Sequence, residues 1–366
     1  MTATCYINGK FTAQPTTGVQ RVAARMVQAL DARAADLPGR WILLCPPGGR
    51  PPGLRHIESR VVGRRKGPLH LWEQLRLPLA ARDGWLLNLA GSAPFAARRQ
   101  VCFIHDAAVF DCPEAYAPSF VRWYRWLFRH LARRGDTLLT VSAFSQARLA
   151  AALGVAAARV AVVPNGADHL QDVTPDEVVL QRHGLQGQRY FLAVASANPT
   201  KNLAFLVSAF GALPTRGALA PAVKLVIVGG SNARVFAAEP APADPVGVIR
   251  TGPLGDAALK ALYEQAQALI FPSVYEGFGL PPLEAMACGC AVVAAHAASI
   301  PEVCGDAALY IDPHDQSALT AAMQRLLDDP ALLLRLRLQG PAHASRFTWA
   351  SSADRLLSVM PPESLR

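Results

Sequence analysis

No stretch of this 366-residue sequence approaches the ~18 consecutive apolar residues of a membrane-spanning helix, so no transmembrane helix is expected. The opening residues Met1 to Lys10 lack a basic segment followed by an apolar one, so neither a signal peptide nor export from the cytoplasm is expected. Zinc-type spacing is missing too. The pair Cys288-Gly289-Cys290 has no second Cys/His pair to match it, and no metal ligands or structural metal are expected. The seven cysteines are odd in number and scattered through apolar surroundings, which suits small buried hydrophobes in a reducing compartment. RNP, zinc-finger and helix-turn-helix signatures are absent, so nucleic acid is not an expected partner. Acidic residues are scarce in one half only. Residues 1–168 carry 22 Lys/Arg against 10 Asp/Glu, whereas the remainder carries 14 against 17. A basic first half beside a near-neutral second half points to an anionic acceptor or surface, such as a membrane, on the first half alone.

What is present is an α/β alternation long enough for two cores. Strands are predicted at Cys5–Ile7, Trp41–Cys45, Arg60–Val62, Trp85–Leu89, Val101–Ile104, Thr137–Val141 and Val160–Val163, with a helix over Val19–Leu30. The basic turn Arg64-Arg65-Lys66 reads as a solvated loop or as an acceptor or membrane contact. His105-Asp106 directly follows a strand, at the edge where open α/β sheets bind ligands, and is either structural or functional. Over Pro118–Arg134, Arg122, Arg125, Arg129 and Arg133 recur on one helical face beside Phe120, Trp123, Tyr124, Trp126 and Phe128. That helix either lies in a membrane interface or is a core helix with arginines reaching outward. Ser142 is a plausible N-cap. The polar stretch Asp168 to Gly187 reads as an interdomain connection.

A second series follows, with strands at Tyr190–Ala195, Lys224–Val228, Gly247–Thr251, Ala268–Phe271, Ala291–Ala294 and Ala308–Ile311. Asp256 is expected to cap the helix after Gly255, and Ser299 with Glu302 forms a capping-box pattern. Lys201, just past a strand end, is placed to reach a phosphate as a point charge. The stretch Ile270 to Gly289 carries the most chemistry. It reads as strand, glycine-punctuated loop and helix, with Pro281 and Pro282 in the first helical turn. Glu276 falls in the loop and Glu284 in the first turn, with seven residues between them. Helix N–H groups flanked by two carboxylates would seat a phosphate beside sugar hydroxyls, although an ordinary strand-loop-helix would look similar.

Together these pieces resemble the retaining GT-B glycosyltransferases, specifically glycosyltransferase family 4. The resemblance covers essentially the whole chain. It is strongest in Thr251-Gly-Pro-Leu, Phe271-Pro-Ser-Val-Tyr-Glu276-Gly-Phe-Gly-Leu-Pro-Pro-Leu-Glu284 and Pro301-Glu-Val-Cys-Gly. Thr17-Gly-Val-Gln-Arg21, His105-Asp106, Pro164-Asn165-Gly166 and Pro199-Thr-Lys201-Asn202 add weaker matches in the same order.

The resemblance implies two Rossmann-like domains facing across a cleft. Residues 1–168 would bind the acceptor and 169–346 the sugar nucleotide, with the C-terminal helix within 347–366 packing back on the first. It implies that Glu276 holds donor-sugar hydroxyls, Glu284 the ribose hydroxyls, and Lys201 the departing diphosphate. Backbone N–H groups around Phe278, Gly279 and Leu280 would meet the sugar or diphosphate. Gly18 would let the first helix approach the donor, and Thr200, Gly229 and Thr251 would complete the donor-binding set. His105 would lie near the transferred sugar and Asp106 near the acceptor. No cofactor beyond the nucleotide-sugar co-substrate is implied. The family usually carries arginine where this chain has Thr200, and commonly glutamate at Asn198. Asparagine-proline with lysine at these positions resembles bacterial mannosyltransferases that use GDP-mannose. The basic first half and the helix carrying Arg122 to Arg133 point to a peripheral, membrane-associated enzyme that adds sugar to a lipid-linked glycan. A non-catalytic subunit of a polysaccharide-assembly complex and a related sugar-nucleotide epimerase are the rival readings.

Overall fold

The computed structural model describes residues 4–37, 39–64, 67–196, 198–213, 223–230 and 244–365. Arg65 and Lys66 of the basic turn, Ala197 and Arg366 lie outside the described residues. The chain divides into two compact units. The first takes in Met1–Phe110, Arg122–Gly166 and Thr348–Arg366; the second takes in Asp111–Val121 and Ala167–Phe347.

In the first unit the strands are β1 (Thr4–Asn8), β2 (Arg40–Cys45), β3 (Glu58–Val61), β4 (Trp85–Asn88), β5 (Gln100–Phe103), β6 (Thr137–Thr140) and β7 (Val160–Val162). They form one parallel sheet in the order β3-β2-β1-β4-β5-β6-β7. Ile7, Leu43, Leu87, Val101 and Leu139 are completely buried, as in a sheet covered on both faces. The edge strand β3 is exposed throughout and carries Glu58 and Arg60, charges that discourage pairing with another chain. The helix Gly18–Arg33 buries Val22, Ala23, Met26, Val27 and Leu30 along one stripe.

The final helix, Trp349–Val359, belongs to this same unit. It buries Trp349, Ala353 and Leu356, and Asp354 takes both forks of the Arg33 guanidinium at 2.7 and 2.8 Å. Just past β7, Ser352 Oγ donates to the Pro164 carbonyl at 2.6 Å. A Cβ on Gly166 would sit 2.3 Å from the Trp349 backbone nitrogen, so only glycine allows that crossing.

The second unit has β8 (Tyr190–Val194), β9 (Lys224–Val228), β10 (Val248–Gly252), β11 (Ala268–Phe271), β12 (Ala291–Ala295) and β13 (Leu309–Ile311). These pair in parallel in the order β10-β9-β8-β11-β12-β13. Both sheets are doubly wound, and each reverses direction beside its first strand, between β1 and β4 and between β8 and β11. Crevices at the carboxyl ends of such neighbours are where open α/β sheets bind ligands.

Two local readings are corrected. The stretch from Asp168 to Gly187 is a packed part of the second unit, with Leu170, Val179, Leu180 and Leu185 buried. Its polar composition belongs to the outward side of a short turn and the helix Val178–Arg182. Asp256 is the first residue of its helix, and Gly255 occupies the cap position. Segment Asp111–Val121 is tied into the second unit by Tyr275, whose hydroxyl donates to Asp111 at 2.8 Å.

Candidate active site

The loops after β8 and β11 meet at the switch point of the second unit. Asn198 Oδ1 accepts from the Thr200 N–H at 3.0 Å, starting the single turn Pro199–Lys201. Asn202 then takes a left-handed conformation, φ 57°, tolerated by asparagine better than by most residues. Its side chain donates to the carbonyls of Pro272 (3.3 Å) and Pro313 (2.9 Å). Val274 N–H donates to the Thr200 carbonyl at 2.9 Å, so the two loops are stitched together by backbone as well. On this frame Lys201 Nζ meets Glu276 Oε1 at 2.6 Å, with the ammonium 5.9 Å from the Phe271 ring centre. Both side chains are mostly but not wholly buried, which strengthens their mutual attraction while leaving them reachable.

Ser299 holds the other side of Glu276. The capping-box expectation is overturned there, because Ser299 makes no side-chain cap and its hydroxyl donates to the Glu276 carbonyl at 3.0 Å. Gly279 starts the helix Leu280–Ala287 in a left-handed conformation, φ 95°, that a side chain would strain. Phe278 and Leu280 point into the core, Phe278 edge-on to Phe347 at 6.0 Å. What this segment offers a ligand is therefore backbone N–H at a helix start.

Glu284 lies in the second helical turn, one turn deeper than the sequence suggested. Its carboxylate is buried, with Oε1 3.0 Å from His169 Nε2 and Oε2 accepting from the Tyr263 hydroxyl at 3.1 Å. The structure thus joins Glu276 to Lys201, and Glu284 to His169 and Tyr263. His169 was missed because it sat in a stretch read as linker; the available signal was its place just beyond the carboxyl end of β7. Gly229, at the end of β9, has a packing reason for being glycine, since a Cβ would lie 1.9 Å from the Ala195 carbonyl oxygen. Thr251 donates to the Gly252 carbonyl at 2.9 Å.

In the first unit, Gly18 opens its helix, and among the described residues nothing lies within 4 Å of where a Cβ would be. His105 follows β5, stacks on Phe103 at 5.0 Å and lies 2.9 Å from the Leu89 carbonyl through Nε2. A carbonyl only accepts, so Nε2 carries the proton and Nδ1 is the acceptor of a neutral ring. Desolvation by burial lowers the imidazole pKa to about 4, against the opposing pull of that hydrogen bond. Asp106 Oδ1 accepts from the Ala108 N–H at 2.8 Å, an Asx turn leading into the short helix Ala108–Asp111.

Behind the β1/β4 switch point lies a buried ion pair that sequence reading did not single out, Lys10 Nζ to Glu73 Oε2 at 2.6 Å. Lys10 also donates to Ser92 Oγ (3.1 Å), while Glu73 Oε1 accepts from Ser92 Oγ (2.6 Å) and Asn8 Nδ2 (3.0 Å). Glu73 sits in a π-helical stretch, Trp72–Arg76, a widening of the helix often found near functional sites.

Comparison with known proteins gives this geometry a family. Residues 16–170 match the family described as Glycosyltransferase Family 4, and residues 177–343 match Glycosyl transferases group 1. The O-antigen chain mannosyltransferase B of Escherichia coli is 32% identical over 309 residues, 81% of this chain and 81% of that protein. The serotype-specific mannosyltransferase WbdA of Escherichia coli is 29% identical over 275 residues, 70% of this chain but 32% of that longer protein. Among solved structures, HepE of Anabaena in complex with UDP-glucose shares the fold, with TM-score 0.72 and 17% identity over 98% of this chain and 99% of that one. The chain belongs to the family 4 glycosyltransferases and has their GT-B fold.

Proposed function

We propose that this protein is a retaining mannosyltransferase that moves mannose from GDP-mannose to a lipid-linked glycan during bacterial surface polysaccharide synthesis, at the inner face of the membrane. The observation that carries the reading is the Lys201–Glu276 pair beside the helix start at Gly279, at the switch point of the second sheet. Transfer from a sugar nucleotide breaks the bond from the anomeric carbon to the diphosphate and leaves negative charge on the phosphate. Lys201 and the N–H groups after Phe278 are the groups to receive that charge, and no metal step is invoked. Glu276 takes a donor-sugar hydroxyl and Glu284 the ribose, as clamps rather than nucleophiles. The new bond forms on the face the diphosphate leaves, and the acceptor hydroxyl proton passes to the departing phosphate oxygen. His105, neutral and with Nδ1 as acceptor, orients a hydroxyl of the transferred sugar.

The mannose assignment is supported by the mannosyltransferase relatives, and the acceptor class by the O-antigen name that the first of them carries. A panel of sugar nucleotides with a lipid-linked glycan acceptor tests both. GDP-mannose should be consumed, and Lys201→Ala and Glu276→Ala should each lower turnover by about 10²–10³-fold. Near-normal turnover in both variants would sink the assignment. Thr200 favours a second reading, a non-catalytic subunit, because it stands where the family usually places a second cation. Calorimetric titration with the same panel separates the two: absence of binding by every sugar nucleotide supports the subunit.

A further inference from the structure

The helix after the basic turn runs through Leu69–Leu71, the π-helical Trp72–Arg76 and Leu77–Ala80. One side is core: Trp72, Leu77 and Ala81 pack with Tyr6, Ile42, Leu44 and Leu86. The other side presents Leu71, Leu75 and Leu79, at 57%, 59% and 68% exposure. Positions four apart share a helix face, so these leucines form a stripe. Val61 on the edge strand β3 is likewise exposed, at 61%. Beside the stripe is a hollow of about 350 Å³ walled by Pro46, Pro47, Val62, Trp72 and Leu75, and lined also by Arg64 and Arg76. The Trp72 indole N–H already donates to the Val62 carbonyl at 2.8 Å, so the ring offers the hollow its apolar body. Both arginines are exposed. Leucines in a row flanked by cations match a surface that is apolar within and anionic at its rim.

The arginine-rich helix Pro118–Arg134 is the other candidate for such a surface; Arg122, Arg129 and Arg133 are exposed on it, but its exposed aromatic ring, Trp126, and several of its cations are engaged by neighbouring groups. Arg125 donates to the carbonyls of Val109 (2.7 Å) and Phe110 (3.2 Å), and Arg129 lies over the Phe110 ring at 5.3 Å. Arg134 bonds the Phe95 and Ala97 carbonyls. Trp126 stacks on His130 at 5.3 Å and meets Phe95 edge-on. These contacts consolidate the first unit rather than present a bare apolar row.

We propose that the Leu71/Leu75/Leu79 stripe and the adjoining hollow are the face by which the first unit seats on an anionic phospholipid bilayer. The leucines enter the acyl region, and Arg64 and Arg76 meet lipid phosphates. This deepens, and rests on, the reading that the acceptor is lipid-linked, since it names which face of the unit approaches the lipid.

The test is flotation of the full-length protein with vesicles of phosphatidylcholine alone or mixed with phosphatidylglycerol, with no donor or acceptor present. Wild type should bind the mixed vesicles, and binding should weaken with salt. Leu71→Ser/Leu75→Ser/Leu79→Ser should weaken it at least about tenfold, and Arg64→Ala/Arg76→Ala by about thirtyfold. Arg122→Ala/Arg129→Ala/Arg133→Ala should bind like wild type. Circular dichroism confirms folding, and if the leucine variant is misfolded the arginine pair decides alone. No binding by wild type, wild-type binding by the variants of the stripe and hollow, or loss only in the Arg122 set overturns the proposal. So does a dimer that the leucine variant dissolves, because a second copy would then cover the face. Sugar transfer is measured separately on a detergent-solubilised acceptor, where the leucine variant should match wild type. Failure of transfer and failure of bilayer binding are therefore told apart.

Discussion

At the scale of single residues, the site depends on side chains whose partners lie far along the chain. Lys201 and Glu276 are 75 positions apart and Ser299 reaches back 23 to the Glu276 carbonyl. Their residue types and strand-end positions were legible, because a cation or carboxylate just past a strand faces the ligand edge of a sheet. Their pairing was not, since it follows from sheet order. Ser299 shows the cost of local reading: Ser-x-x-Glu suggests a cap, but the hydroxyl does a different job. His105 makes the residue-scale prediction. Its folded pKa of about 4 lies below the ordinary value of about 6.5, so between those values the unfolded chain binds more protons. Stability rises with pH across that window. The contribution is complete above about pH 6.5 and is lost as pH falls toward 4, up to about 3 kcal/mol. Urea unfolding at neutral pH and near pH 4 should show this loss in wild type, and His105→Gln should shrink it.

At the scale of elements, continuous apolar runs announced most strands. Ala-Leu-Ile-Phe of β11 and Ala-Val-Val-Ala-Ala of β12 are buried at every residue, as central parallel strands must be. The π-helical stretch was invisible, and so was the distant partner of the glutamate it carries. Glu73 turns inward to Lys10 on the short turn after β1, and helical periodicity carries no trace of that pair. A double-mutant cycle measures it. Lys10→Met and Glu73→Leu should each destabilise the protein by about 3–5 kcal/mol, since each strands a buried charge. The double variant should be less damaged than the sum, with an interaction term of about 2 kcal/mol. Additive losses would mean that the two charges do not support each other.

At the scale of the whole molecule, two doubly wound sheets were legible from the repeated strand-helix alternation. The family pattern also indicated that the chain's end returns to its beginning. What no local pattern could show is how that return is fastened. Ending the chain at Phe347 would remove Trp349, Ala353 and Leu356 from the first unit's core. Full burial of side chains the size of Trp349 and Leu356 stabilises by about 1.5–3 kcal/mol each, a sizeable part of a stability of about 5–15 kcal/mol. Truncation should therefore unfold the first unit, seen as early proteolysis of residues before 167. Asp354→Ala, which breaks only an exposed ion pair with Arg33, should cost under about 1 kcal/mol.

The returning helix also sets an order of events at the ribosome. The second unit's main segment, Ala167–Phe347, is continuous in sequence and is complete before Thr348 is made. The first unit begins earlier yet is completed later, because its closing helix follows that segment in the sequence. At roughly 5–20 residues per second, its sheet waits about 10–40 s for that helix. During the wait the apolar stripe of Gly18–Arg33 that the last helix covers stands open, and it is the surface a chaperone would have to shield.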